Sequence, residues 1–491
     1  MNDPEKSELP KVASRPTNKA GQTAAEPVER RGSAKGNAIE ATTRRTPSRE
    51  SVSPGLDRVR QTAKANRKCR FTALMHHVTI DLLRQSYFWL KRNAAAGVDG
   101  VTWHGYGDCL EDNLTNLHSR VHRGAYRALP SRRRMIPKPD GRERPLGIAS
   151  LEDKIVQRAI VEVLNAIYET DFVGFSYGFR PGRSQHNALD ALAHAICTKK
   201  VNWIVDADLR SFFDTVDHSW LLRFLEHRIG DRRLLCLIRR WLKAGVMMDG
   251  VTTATTVGTP QGAVISPLLA NAYLHYVFDL WADQWRHRKA QGDVVLVRYA
   301  DDIVAGFQHD SDARMFLAEL GERLAKFALS LHPEKTRVLA FGRFAAERRA
   351  ERGLGPPETF TFLGFNHICS TTRDGAFQLK RYTRRDRMRQ RLQSIKKQLH
   401  KRKHDPIPEQ GRWLGQVVRG YFAYHAVPTN TAALAAFRFQ VMRHWRHALS
   451  RRSQRHHITW DWMNRLFNQW VPRARILHPW PSQRFVANHP R

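Results

Sequence analysis

The stretch Val294-Val-Leu-Val-Arg-Tyr-Ala-Asp-Asp-Ile-Val-Ala-Gly-Phe307 sets two adjacent carboxylates, Asp301 and Asp302, between two runs of β-forming apolar residues. The apolar runs predict a hairpin with Tyr299-Ala300-Asp301-Asp302 at its turn. Desolvating a carboxylate costs on the order of several kcal/mol unless a strong partner offsets it, and neighbouring acids repel each other. An arginine is one remedy, and Arg298 is close in sequence. A divalent cation is the other, and oxygen-only ligands suit Mg²⁺.

A lone Asp-Asp in a turn is usually a solvated pair, so a second acidic strand matters. Asn202-Trp-Ile-Val-Asp-Ala-Asp-Leu209 alternates, with Ile204, Asp206 and Asp208 on one face of a strand and Trp203, Val205, Ala207 and Leu209 on the other. Asp208, Asp301 and Asp302 brought together on one sheet form a cage for two Mg²⁺ ions. That arrangement suits nucleotidyl transfer, in which one ion activates a 3′-hydroxyl and the other neutralises the triphosphate and leaving pyrophosphate.

Composition agrees with a polyanionic partner. The 491 residues carry 81 Lys+Arg against 46 Asp+Glu, a formal charge of +35, and nucleic acid best neutralises such an excess in a soluble protein. An apolar content of 42% is ample for packed cores. Five scattered cysteines without a Cys-x-x-Cys pair read as reduced thiols and not as a zinc site. No signal peptide, transit peptide or membrane span is legible, so a cytoplasmic protein of bacterial type with no membrane partner is expected.

Residues 1–66 are rich in Ser, Thr, Pro, Gly and charge, and are expected to be a disordered basic leader, with order beginning near Phe71 as a helix to Arg84. Asp140-Gly141 predicts a hairpin between two basic arms, and Ser150-Leu-Glu-Asp153 opens a buried helix to Ile167. Ser266 and Pro267 are read as the N-cap and first turn of a helix towards Arg288. A further helix is expected over 312–329 and a strand near 337–341. From Lys380 to Lys403 there are twelve basic residues and one acid, with a thin stripe of Leu392, Ile395 and Leu399. This predicts a cationic amphipathic helix with too few intrahelical partners for its charges. Residues 405–491 hold six of the thirteen tryptophans among Arg and His, with helices around 417–424 and 434–442.

Four ordered blocks now converge: Ser176-Tyr-Gly-Phe-Arg-Pro-Gly-Arg-Ser184, Ala207-Asp208 to Asp217, Gly258-Thr-Pro-Gln-Gly262 to Asn271, and Tyr299 to Asp302. Together they resemble group II intron reverse transcriptases from about Gly97 to the C-terminus. The resemblance implies an α+β, right-hand polymerase with fingers, a palm built on a small antiparallel sheet, an α-helical thumb and a mostly α-helical C-terminal maturase domain. Its implied boundaries are 67–378 for fingers and palm, 379–405 for the start of the thumb, and 406–491 for the remaining thumb and maturase region.

By the same resemblance, Asp208, Asp301 and Asp302 are the catalytic metal ligands. Lys138 and Arg144 hold the incoming triphosphate, Phe213 closes the sugar pocket, and Gln261 with Gly262 lies along the nucleotide. Core packing is the equally plain reading of Phe213, and a solvated surface that of the single cations. Arg180 and Arg183 resemble template contacts, and Phe360-Thr-Phe-Leu-Gly-Phe365 resembles a primer-gripping hairpin. Arg384, Arg385, Lys396, Lys397 and Arg419 are expected to touch RNA, the last within Leu414-Gly-Gln-Val-Val-Arg-Gly-Tyr-Phe-Ala-Tyr-His425, which resembles a maturase pattern. Implied partners are a group II intron RNA, a DNA target or primer, and deoxynucleoside triphosphates.

Many members continue into a metal-binding nuclease with paired cysteines. No cysteine follows Cys369 and His456-His457 lack partners in sequence, so the nuclease is expected to be missing. Two other readings keep the same core: a reverse transcriptase recruited to a diversity-generating or defence system, and an RNA-binding splicing factor with an inactive polymerase.

Overall fold

The computed structural model describes residues 54–137, 143–248, 251–253, 257–259, 262–452 and 458–488. Three small sheets are set among helices. Their strands, in chain order, are β1 (Ser131–Pro137), β2 (Glu143–Ile148), β3 (Trp203–Asp208), β4 (Val246–Met248), β5 (Val251–Thr253), β6 (Val294–Tyr299), β7 (Asp302–Phe307), β8 (Arg337–Ala340), β9 (Phe360–Phe362), β10 (Phe365–Thr371) and β11 (Phe377–Thr383).

The central sheet has the order β6-β7-β3-β8, all antiparallel. Its pleat sorts side chains as the alternation predicts. Val205, Ala207, Ile303 and Ala305 enter the main core, while Ile204, Val297, Val304 and Leu339 enter a second one on the other face. Asp206, Asp208 and Asp302 share the parity of that second face; Asp208 and Asp302 stand at their strand ends, and Asp206 one step further in, opposite Val304 and Arg337.

A second sheet, β2-β1-β4-β5, contains the expected basic hairpin, paired from Arg132↔Ile148 to Pro137↔Glu143. The Asp140-Gly141 turn itself lies outside the described residues. Ser150 caps the helix Leu151–Asp171 as its Ser-x-x-Asp box predicts, accepting from the Asp153 amide.

Several boundaries differ from expectation. The expected leader extends to residue 66, yet Pro54–Ala65 is a helix that buries Leu56, Val59 and Ala63 and packs on the helix Leu151–Asp171. Three apolar residues at helical spacing suffice once a partner surface exists, and the average composition of the segment hid them. Arg228, 2% exposed, closes this helix by donating to the carbonyls of Ala63, Asn66 and Cys69. The expected Phe71–Arg84 helix is a short turn, Met75–His77, followed by Ile80–Trp89 capped by Thr79. Ser266 is the first residue of its helix and not the cap, which is Ile265. That helix also changes pitch, passing through a π-turn at His275–Asp279 before continuing as Leu280–Arg288. The next helix spans Asp310–Ala325.

The third sheet, β11-β10-β9, carries the chain to Thr383, five residues past the expected boundary at 378. Lys380 and Arg381 therefore belong to a strand and not to the cationic helix, and Arg381 is buried. The basic helix proper is Arg385–Lys401. Its Ile395 and Leu399 join the core of the C-terminal helices Ile407–His425, Thr431–Ser450 and Trp460–Trp470. Trp445 is fully buried there, its indole N–H donating to Gln410 Oε1 at 2.7 Å. A last helix, Pro481–Asn488, lies back against Gln185–Thr198, with Phe485 stacked on His194 at 4.7 Å.

Candidate active site

Strand register brings the acids together. Asp208 on β3 is the direct partner of Asp302 on β7, and Asp302 in turn pairs with Tyr299 on β6. Only Ala300 and Asp301 remain in the turn, and Ala300 takes a left-handed φ of 58°. Two carboxylates directly opposite each other on adjacent strands repel, so the pairing needs positive charge.

Part of it comes from the chain itself. Lys335 Nζ forms an ion pair with Asp208 Oδ2, the lysine side chain being 55% exposed and the aspartate 21%. The loop carrying Lys335 is fastened to the same strand: His332 N donates to Asp208 O at 2.8 Å, and Arg210 N to Ser330 O at 2.9 Å. An ammonium at this carboxylate marks the position as one that attracts a cation. Burial pushes the Asp206 carboxyl up to about 6, with Arg337 opposing and Asp208 adding to the shift.

The carboxylate that Arg298 hydrogen-bonds is a third one, Asp279. Arg298 is fully buried and grips Asp279, also fully buried, through Nε at 2.6 Å and Nη2 at 2.5 Å. The other hydrogen bonds of the guanidinium go to Asn271 Oδ1 (3.0 Å), Ala300 O (3.1 Å) and Ser176 Oγ (2.7 Å). One guanidinium thus ties the Asp301 turn to the helix beginning at Ser266 and to the Ser176 segment. The π-turn ends at Asp279, and such turns inside helices often mark functional sites. An acid inside the largely apolar run Tyr273–Leu280 is the sequence signal for a buried partner.

The Ser176 segment lies beside β6, with Tyr177 N donating to Arg298 O at 2.8 Å and Arg298 N to Phe175 O at 2.9 Å. A Cβ at Gly178 would stand 2.3 Å from Ala300 N. Only glycine lets this backbone press on the acidic turn. Asn271 Nδ2 completes the junction by donating to Gly178 O at 2.7 Å.

Gly262, with φ 111°, meets Gly147 O of β2 so closely that a Cβ would lie 2.4 Å away. The Gly258-Thr259 backbone is held against the Phe213 turn, Thr259 N donating to Phe213 O at 2.7 Å. Phe213 is 8% exposed and lies in the main core.

Other expected site residues divide. Arg180 is 6% exposed and turned inward: it pairs with Glu169 and donates to Val173 O and Ser176 O at 2.7 and 2.8 Å. Here its guanidinium holds the loop and does not face solvent. Arg183 donates to Gly174 O and lies over the Tyr177 ring at 5.2 Å. Arg384 precedes its helix and pairs with Asp386, while Arg385, Lys396, Lys397 and Arg419 are exposed. Lys138, Gln261 and the pair His456-His457 lie outside the described residues, as does the Arg144 side chain.

Among the described residues, no three His, Cys, Asp or Glu side chains are gathered closely enough to hold a metal ion as they stand. The donors nevertheless fit one: hard carboxylate oxygens, opposed in register, with an exposed ammonium standing at Asp208 where a cation is wanted. Sequence reading found the acids but missed Lys335, for which His332-Pro-Glu-Lys-Thr336 offers no signal.

Residues 136–367 match the family model described as reverse transcriptase (RNA-dependent DNA polymerase). The chain is 40% identical over 239 residues to protein YkfC of Escherichia coli, covering 42% of this chain and 62% of that one. It is 34% identical over 222 residues to the group II intron-encoded protein LtrA of Lactococcus lactis, covering 45% and 37% of the two chains. An uncharacterized 91 kDa protein in the cob intron of Schizosaccharomyces pombe is 37% identical over 199 residues, covering 40% of this chain and 24% of that one. The matched stretches thus span between about a quarter and three fifths of these relatives' lengths. Among the described residues no helix is long and apolar enough to cross a membrane.

Proposed function

From a chain whose residues 136–367 match the reverse transcriptase family model, we infer an RNA-directed DNA polymerase that also serves as the maturase of a group II intron. The carrying observation is the register pairing of Asp208 with Asp302, with Asp301 next to it at the turn. In this reading the central sheet is the palm, the β1–β2 hairpin belongs to the fingers, and Arg385–Lys401 opens the thumb.

Asp208, Asp301 and Asp302 would hold two Mg²⁺ ions, which when bound supply charge neutralisation and an activated 3′-hydroxyl. The chain's own part is positional. Arg298 and Gly178 fix the turn that presents Asp301, and the Lys335 side chain, exposed and on a loop anchored to β3, is free to leave Asp208 when a stronger cation arrives. Lys138 and Arg144, which flank Asp140-Gly141 in sequence, would close over the triphosphate. Gly262 packs against Gly147 O at the base of the β1–β2 hairpin; Gln261 would lie along the nucleotide, and Phe213 would back the sugar. Arg183, Arg384, Arg385, Lys396, Lys397 and Arg419 would meet RNA phosphates.

Primer extension with deoxynucleotides on an RNA template, in Mg²⁺, tests the reading. The wild-type protein is expected to extend the primer. Asp208→Asn should lose the activity yet keep RNA affinity, since it removes a metal ligand and no cation. Undiminished extension by Asp208→Asn would end the catalytic assignment. Intron RNA affinity should fall steeply with salt, and a flat titration would remove Arg385–Lys401 as an RNA surface.

A further inference from the structure

The helix Arg232–Lys243, Arg-Arg-Leu-Leu-Cys-Leu-Ile-Arg-Arg-Trp-Leu-Lys, carries five cations and no acid. Its apolar face is buried in the main core through residues such as Leu234, Ile238 and Trp241. The opposite face, Arg232, Arg233, Cys236, Arg239, Arg240 and Lys243, is exposed. As a helix surface this is poorly arranged. Arg232 and Arg233 stand at the positive end of the macrodipole, and Arg239 and Lys243 are like charges one turn apart. Among the described residues no carboxylate forms an ion pair with any of the five; Asp231, the N-cap, accepts from the backbone amides of Leu74, Met75, Arg233 and Leu234.

This face borders an open groove of about 590 Å³ whose other wall is Gly124, Ala125, Arg127 and Ala128. Arg240 ties the walls together, its Nη1 donating to Gly124 O at 3.0 Å and Tyr126 O at 2.9 Å. The lining is therefore four cations, one thiol and three small residues, without an acid or an aromatic ring. Cations over a floor of small residues suit a phosphate chain drawn close to the protein backbone. The lack of rings argues against unpaired bases, whose binding depends on stacking.

We propose that this groove binds the sugar-phosphate backbone of paired RNA, at a surface distinct from Arg385–Lys401. RNA as the polyanion rests on the reading of the chain as an RNA-copying enzyme; the groove's fit to phosphate does not. Cys236 lies in the groove, and Cys109, also exposed, is not among its lining residues. The full-length protein is alkylated with iodoacetamide, alone and with a saturating blunt-ended RNA duplex. The duplex is expected to protect Cys236 and to leave the rate at Cys109 unchanged. Arg239→Ala combined with Lys243→Ala should lower the slope of log affinity against log salt by about 2, with primer extension on a short template unchanged. Equal Cys236 rates with and without duplex, an unaltered salt slope, or protection by single-stranded RNA alone would each overturn the proposal. Protection of Cys236 in a protein that extends no primer would uphold the groove and remove the polymerase reading.

Discussion

Two acid–base pairs flank the same turn and are built in opposite ways. Arg298–Asp279 is wholly buried, and the guanidinium has a partner on each nitrogen. Lys335–Asp208 is half open, and its ammonium sits on a long flexible side chain. A buried pair is rigid because breaking it strands a charge in a medium of low dielectric. An exposed one exchanges partners at little cost. The first therefore shapes the turn, and the second leaves Asp208 available to a competing cation.

The largest effect that follows is on activity. Asp301→Asn should reduce primer extension by about a thousandfold or more, as loss of a principal charge-stabilising group does, with the melting curve essentially unchanged. Asp279→Asn should do the reverse of that separation, costing about 3–5 kcal/mol in urea unfolding because Arg298 is left buried without its counter-charge. The double variant Arg298→Met/Asp279→Leu should recover much of the loss. A mild effect of Asp279→Asn would erase the distinction between the two pairs.

Gly178→Ala comes next. With a Cβ 2.3 Å from Ala300 N the turn must shift, at about 1–3 kcal/mol of stability and with a larger fractional loss of extension than of RNA affinity.

Buried histidines give a pH test of the rigid parts. Burial lowers His186 to about 2, His367 to about 3, and His275 and His425 to about 4. The unfolded chain takes up these protons near pH 6.5 and the folded one does not. Stability should therefore be full above pH 6.5 and fall steadily from there towards pH 4, read as the urea midpoint at pH 7.5 and 5.0. Smallest of all, Lys335→Met should change stability by under about 1 kcal/mol. It should also alter the Mg²⁺ dependence of the melting temperature, since the competing ammonium is gone.

What the chain alone determined is what local chemistry controls. Period-two alternation placed Asp206 and Asp208 on one face of β3, and the apolar runs around Asp301-Asp302 specified β6, β7 and the turn, because a one-residue slip would turn the acids to the main-core face. The Ser150 cap and the Leu392, Ile395, Leu399 stripe were legible for the same reason. Tertiary structure alone decided which charges meet. Arg298 and Asp279 lie nineteen positions apart and Lys335 lies 127 from Asp208, so no pattern of neighbours announces them. Arg180 turned inward because Glu169 and two carbonyls await it there, and Pro54–Ala65 became a helix because another helix offered it a surface. Periodicity reports which side of an element is wet or dry; the partner of a buried charge depends on packing between elements, and a linear pattern does not encode it.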